Sequence, residues 1–543
     1  MKFIETEVLV VGAGPVGLAL AGDLGWRGRR CAVIERSDGA IYQPKMDGVG
    51  VRTMEFCRRW GIVADVEASP YVRSYPQDNV YLTSLNGHEL GREPFPSAQD
   101  EKPSKFSPQK RERCPQNMFD PILQRFAASR PTVSVHYGHK LRSFKQDDAG
   151  VEALVERLSD GERLTFRARY IVGCDGARSG VRDTLGIEAG GRGVLTYPTN
   201  VIFECADLNA LHDKPPGYRY IFVGPEGTWA TLVAINGAER WRFSIVGDER
   251  ARELSHDDIR ALAARAMGRP FDFKILSVVA WQRQELIANR YRERRGFIAG
   301  DAAHVMSPTG GFGMNTGLQD AVDLSWKLSA VLEGWGGDGL LASYGIERRP
   351  VGERNVLEAS GNLARMLSPG ANPDLLDDTP AAAQTRERVG AALAQAMKRE
   401  WFSANIHLGY RYLASPICVY TDVEDPAQQQ AEWHDASNYR PSSRVGCRAP
   451  HVWLADGRST LDLFGRGYVV VAAPGAGGEL AALAASAARA GMPFRIESPA
   501  DPAVRDAYER RFVLVRPDGH VAWRSDSPPA DADALVRTVA GHH

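Results

Sequence analysis

No stretch of this sequence holds the roughly 18 or more unbroken apolar residues of a membrane span, and neither sign of charge is in excess. Lys and Arg number 66 against 67 Asp and Glu, a formal net charge of -1. Nothing electrostatic therefore points to nucleic acid or an anionic membrane surface as a partner. Cysteine is scarce. Cys31, Cys57, Cys114, Cys174, Cys205, Cys418 and Cys447 are odd in number and never form a C-x-x-C pair, which argues against a structural zinc, or any metal, and against a dithiol redox site. The N-terminus "MKFIETEVLVVGAGPVG" carries acids ahead of its apolar run, so no signal peptide is read there. A cytoplasmic location is the expectation. At 543 residues the chain exceeds one core, and two to four domains are expected.

Glycine, by contrast, is placed where chemistry is done. In "VLVVGAGPVGLAL" the apolar run Val8 to Val11 precedes Gly12, Gly14, Pro15 and Gly17, a G-x-G-x-x-G between a strand and a helical run. Gly12 permits the turn, Gly14 lets the backbone approach a pyrophosphate, and Gly17 lets the helix pack on the sheet. The helix N-terminus then offers free N–H groups to phosphate. "CAVIERS" supplies a second strand ending in Glu35 and Arg36. A carboxylate at Glu35 can accept ribose hydroxyls and would repel a 2′-phosphate, so the tightly held dinucleotide is FAD or NAD. The other reading is a glycine-rich turn of any doubly wound domain.

Two further strand ends repeat the theme. "RARYIVGCDGARSGVRDTLGI" (167–187) ends a strand in Asp175 and Gly176, with Arg178 close behind. "GFIAGDAAHVMSPTGGFGMNTGLQDAVDLSWKL" (296–328) ends a strand at Asp301, then runs through Pro308, Gly311, Gly313, Met314 and Asn315 into a helix. Gly334 is its expected stop. So dense a glycine cluster calls for a main chain close to a large flat ligand. A helix amino end, partially positive, would stabilise the anion of a reduced flavin.

Together "GAGPVG", "CDGARSGVR" and "GDAAHVMSPTGGFGMNTGLQDAVDLSWKL" resemble the class A FAD-dependent aromatic hydroxylases, the p-hydroxybenzoate hydroxylase and phenol hydroxylase group. The resemblance implies an α/β chain: an FAD-binding Rossmann-like domain of glutathione-reductase type, an inserted antiparallel β-sheet substrate domain, and a thioredoxin-like C-terminal domain. The expected segments are 1–75, 111–187 and 285–420 for FAD binding, the last with a helical extension. Residues 76–110 and 188–284 form the substrate sheet, 421–447 a linker, and 448–543 the terminal domain. It further implies that Asp301 binds the ribityl chain, that Asp175 serves FAD and nicotinamide, and that Pro308 lies beside a mobile flavin ring. Arg52 in "RTMEFCRRWGI" and Gln116 in "RCPQNMFDPIL" are implied FAD contacts. His304 is read as a hydrogen-bonding support to the loop.

The activity implied is hydroxylation of a phenolic aromatic by O₂ through a flavin C4a-hydroperoxide, with NADPH or NADH as co-substrate; NADPH is favoured by resemblance alone. Where relatives have Pro-Arg-Ala this chain has Pro44, Lys45 and Met46, and Lys does not reproduce the fork of Arg. Asp47, five residues before Arg52, is the candidate base for the phenol; a helix-capping role is the other reading. Tyr218, Tyr220, Trp229 and Trp241, from a meander over 218–246, are candidates to line the substrate pocket, although alternation sends only half inward. The terminal domain has "APGAGG" where thioredoxins carry C-x-x-C, so it is given no redox role, and a homodimer is left open. The alternatives are Baeyer–Villiger or other oxygenation of a polycyclic polyketide on the same fold, and a flavin- or ligand-binding relative without turnover.

Overall fold

The computed structural model describes residues 2–542. Its centre is a six-stranded sheet built around Val8–Val11, whose four residues are all buried, the burial expected of a parallel strand covered on both faces. Cys31–Glu35 lies on one side and Tyr170–Gly173 on the other, with Gly296–Ile298 beyond, all parallel. Val133–Tyr137 and the antiparallel Arg292–Glu293 form the edges. Register sets Val11 beside both Gly173 and Ile34, and Gly173 beside Ile298. Three strands far apart in sequence therefore finish on one sheet edge. Helix Pro15–Trp26 packs there against Gln116–Ala128 and Phe312–Glu333.

A second sheet, seven-stranded, combines Asn79–Leu82 and Glu89–Glu93 with five strands between Thr199 and Ala280. Its alternation divides it cleanly. Val80, Leu82, Phe203, Tyr220, Phe222, Leu232, Trp241 and Phe243 form one face, under Ile259, Ala263 and Met267 of helix His256–Met267. Tyr81, Ile221 and Val223 on the other face meet Leu363, Met366, Leu393 and Met397 of helices Asp338–Met366 and Pro380–Trp401. The remainder of that face roofs the edge where the three parallel strands end.

The C-terminal part carries a four-stranded sheet in which Tyr468–Ala472 pairs parallel with Phe494–Glu497 and antiparallel with Phe512–Val515, and Val521–Ser525 follows. It is not a free appendage. Trp326, Ala330, Trp335 and Leu340 share one apolar cluster with its strands. Arg448, fully buried, binds Glu55 through Nε and Nη2. The 421–447 segment, expected as a linker, is structured: Asp425 caps helix Pro426–His434 by accepting from the Ala427 N–H, 2.9 Å. Arg411 and Arg444 both bind Glu424. An Asp-Pro pair at a helix start was the signal within that polar stretch.

Among the described residues, no helix is long and apolar enough to cross a membrane, and no group of three or more His, Cys, Asp or Glu is placed to hold a metal ion.

Candidate functional site

Glycines bring the three strand ends into contact. Gly12 has φ 104°, and a Cβ there would strike the Cys174 carbonyl, just before Asp175. A Cβ on Gly17 would strike the Gly12 carbonyl. Val16 fills the next gap: a Cβ on Gly300 would lie 2.9 Å from its Cγ2, and one on Gly317 would lie 2.5 Å away. Gly14 and Gly311 differ, since nothing lies within 4 Å of a Cβ built on either. Both border open space.

That space is lined in a consistent way. Asp301, Pro308 and Gly311 are exposed although Ala302, Ala303, His304, Ser307, Thr309 and Phe312 around them are buried. Gly311, at φ 67°, is the N-cap of helix Phe312–Glu333, so the first-turn amides, including those of Gly313 and Met314, have no partner within the helix and carry the dipole's positive end. Pro15 starts the first helix, where its missing N–H costs nothing. An open rim with two amide-rich helix ends, a carboxylate at one strand end and unobstructed glycine backbone suits a dinucleotide with a flat ring. The residues fit FAD.

Other expected cofactor residues have more specific tasks. Glu35 accepts from Ala13 N (2.9 Å) and Ser37 N (2.8 Å), which fixes the glycine turn and leaves each oxygen one lone pair. Arg36 and Arg178 are exposed. Asp175 accepts from Ser179 Oγ (2.5 Å) and Val181 N (3.2 Å), and burial pushes its carboxyl upward despite those bonds. Gln116 accepts from Lys45 N and donates to Asp120, both at 3.0 Å. Asn315 accepts from Gly50 N and Thr53 Oγ1, both at 2.8 Å, so its side chain ties the 48–53 segment to the long helix and only its backbone is left for a ligand. Arg52 is a correction: its guanidinium is buried against Glu55 (2.7 Å) and the Asp518 carbonyl (2.7 Å), a bolt to the C-terminal sheet instead of a cofactor contact.

Below the loop, His304 Nε2 meets Asp320 Oδ2 at 2.6 Å, and Arg348 Nε donates to Asp320 Oδ1 at 2.8 Å. All three are fully buried. Burial alone would raise Asp320, but His304 and Arg348 hold it below the ordinary carboxylate range. The cluster stiffens the loop from beneath.

Opposite the rim stands the roof. One rung across it reads Ser277, Ile202, Arg242, Val233 and Arg219; the next reads Val279, Asn200, Ser244, Thr231 and Ile221. Asp47 is held here. Arg242 donates to it from Nη1 (3.1 Å) and from Nη2, and Tyr218 OH donates at 3.1 Å. Arg113 stacks on the Tyr218 ring at 3.7 Å. Helix Val51–Trp60 has Gly50, with no side-chain bond, at its N-cap, so Asp47 is not the cap. A carboxylate already accepting a guanidinium fork and a phenol is poorly placed to serve as a free base; it holds Arg242, which also donates to the Pro44 carbonyl at 3.2 Å. Of the four aromatic candidates, Tyr218 adjoins this group. Tyr220, Trp229 and Trp241 belong to the far face: Trp229 lies under Arg265, and Trp241 donates Nε1 to the Cys205 carbonyl at 3.1 Å. Arg242 was missed in the sequence, although "RWRF" places it opposite Trp241.

The pattern of these residues is shared. Residues 5–359 match the family described as FAD binding domain, and 442–542 match that described as aromatic-ring hydroxylase, C-terminal. The chain belongs to the FAD-dependent aromatic hydroxylases. It is 33 % identical to the aklavinone 12-hydroxylase RdmE of Streptomyces purpurascens, over 98 % of each chain. It is equally 33 % identical to the 4-methyl-5-nitrocatechol 5-monooxygenase of a Burkholderia species, over 98 % of this chain and 96 % of the other. The solved structure of RebC soaked with chromopyrrolic acid, with bound 7-carboxy-K252c, superposes with a TM-score of 0.92 at 36 % identity, covering 99 % of this chain and all of that one. The hydroxylase is thus a flavoprotein monooxygenase that uses FAD.

Proposed function

We propose that this monooxygenase hydroxylates a phenolic aromatic substrate, using NAD(P)H and O₂, in the space between the Asp301–Gly311 rim and the Arg242 face of the roof. The observation that carries the reading is the exposed strip Asp301, Pro308 and Gly311 facing a sheet whose inward rungs mix Ile202 and Val233 with Asn200, Arg242 and Ser244. Such a surface accepts a flat apolar ring system and orients it through few polar groups. The relatives' named substrates, aklavinone and a nitrocatechol, favour a hydroxylated ring, and a polycyclic one is the first choice.

Bound FAD would supply hydride acceptance and oxygen activation. Asp301, Asp175 and the backbone of Gly12, Gly14, Gly311, Gly313, Met314 and Asn315 would hold it. Helix Phe312–Glu333 would place positive potential against the ring's polar edge, and the roof would exclude water from the reacting face. The C-terminal sheet is proposed to be thioredoxin-like, structural and without redox chemistry. The test is NAD(P)H consumption by the FAD-loaded enzyme across monocyclic and polycyclic phenols. Stimulation well above the substrate-free rate is expected. No stimulation by any of them would favour a binding protein over an enzyme of this specificity.

A further inference from the structure

Arg113 is held firmly at one end and left free at the other. Strand Glu112–Arg113 pairs antiparallel with Gly48–Val49, which sets Arg113 opposite Gly48. Its Nε donates to Gln77 Oε1 at 2.7 Å. Gln77 is itself fixed: it is buried, and its Nε2 donates to Tyr71 OH at 2.8 Å and to the Tyr75 carbonyl at 2.9 Å. The guanidinium carbon lies 3.7 Å from the centre of the Tyr218 ring. Nη1 and Nη2, by contrast, meet no acceptor among the described residues, and on this half-buried side chain neither is sealed from solvent.

The free end stands between roof and rim. Tyr218, on which it stacks, shares Asp47 with Arg242 of the roof. On the other side, a Cβ on Gly48 would lie 3.3 Å from Nη1. The Gly48 carbonyl accepts from Asn315 Nδ2 at 3.4 Å, in the first turn of helix Phe312–Glu333. The anions nearby are already matched. Asp47 pairs with Arg242, Glu112 with Arg73 (2.9 Å) and Lys110 (3.0 Å), and Glu101 with Arg111 (2.9 Å). His407, beside Gly50, is pushed down to about 4 by burial and by Arg111, so it is neutral. Arg113 is left as an unmatched positive charge, partly withdrawn from water, and such a charge favours an anionic partner.

We infer that Arg113 selects the substrate, its free fork binding a carboxylate carried on the aromatic ring system. Two parallel N–H donors match two carboxylate oxygens, whereas a phenolic hydroxyl offers one oxygen and no charge. Gln77 and the Tyr218 ring fix the fork before the substrate arrives, so little freedom is lost on binding. The substrate class is therefore an aromatic hydroxy acid. Arg113 binds and orients it, and no bond is made or broken there. The inference rests on the hydroxylase reading above and narrows its substrate.

The test uses the full-length FAD-loaded enzyme and two probes of one shape, 6-hydroxy-2-naphthoic acid and its neutral amide. Dissociation constants at neutral pH are read from the change each probe makes in the flavin absorption, for wild type, Arg113→Met and Arg113→Lys. Wild type is expected to bind the acid about tenfold or more tighter than the amide. Arg113→Met should abolish that preference, hold as much FAD as wild type, and bind the amide within about twofold of the wild-type constant. Arg113→Lys keeps the charge without the fork and should retain part of the preference. Four results would overturn the inference: no binding of the acid by wild type, equal binding of acid and amide by wild type, equal weakening of both probes in Arg113→Met, or loss of FAD from that variant. Failure of the hydroxylase reading shows differently, as an acid that binds through Arg113 while no phenol stimulates NAD(P)H consumption.

Discussion

Replacing Arg516 by Met would strand carboxylates in the junction between the C-terminal sheet and the long helix that starts at the rim. Arg516 is fully buried and binds Glu347 (2.5 and 2.8 Å), Asp518 (2.7 Å) and Asp323 (3.1 Å). Lys327, also buried, binds Asp323 at 2.7 Å and Glu347 at 2.5 Å. Burial pushes Asp323 upward, against the pull of Lys327 and Arg516. Against the cost of burial, Arg516 and Lys327 hold Glu347 down at about 2, and Arg516 holds Asp518 well below the carboxylate range. His520, pushed down to about 4 by burial, is neutral. The cluster thus sets Arg516 and Lys327 against the carboxylates of Glu347, Asp323 and Asp518. Without Arg516, Lys327 alone faces these buried carboxylates, and removing one partner of a buried pair costs about 3–5 kcal/mol. Urea unfolding followed by tryptophan fluorescence reads this directly, because Trp326 and Trp335 lie in the same junction. The double variant Arg516→Met with Glu347→Met should recover at least half of the loss, since apolar replacement of a whole buried pair is often neutral. A single-variant loss below about 1 kcal/mol, the range of exposed pairs, would refute the reasoning.

Other expectations follow from the same geometry. Gly317→Ala would set a methyl 2.5 Å from Val16 Cγ2 and force the two helices apart at the rim. It should lower FAD retention at least tenfold, and adding Val16→Ala should restore most of it; equal retention in wild type and Gly317→Ala would contradict the contact. Burial raises the Asp120 carboxyl to about 7, well above the ordinary carboxylate range. A raised folded pKa means stability that is fully present below the unfolded pKa and is lost as pH rises through the folded one. In the cofactor-free protein, wild type should therefore lose stability relative to Asp120→Asn between pH 4 and 7, by as much as ~4 kcal/mol, and the gap should stay constant above that; a gap independent of pH would refute it.

The cradle was legible because its determinants are backbone determinants. Gly12, Gly17 and Gly317 are glycines for the reason that a Cβ has no room, and such positions stand out in a sequence however far apart they lie. The roof was legible as strands but not as faces. "YRYIFV" sets Tyr218, Tyr220 and Phe222 at alternate positions, and only helix His256–Met267 decides that Tyr220 turns away from the pocket. Arg52 illustrates the same limit: its partner Asp518 lies 466 residues away, and no local pattern joins them.

The central claim is that one FAD lies along the edge where the strand ends of Val11, Gly173 and Ile298 meet. Gly14→Val tests it most directly, because a Cβ there meets no protein atom within 4 Å and so leaves the cofactor-free fold undisturbed, while its branched side chain would occupy the place of the pyrophosphate. The wild-type chain is expected to hold one FAD per molecule, and Gly14→Val to melt like cofactor-free wild type and hold none. A Gly14→Val protein as yellow as the wild type would contradict the account.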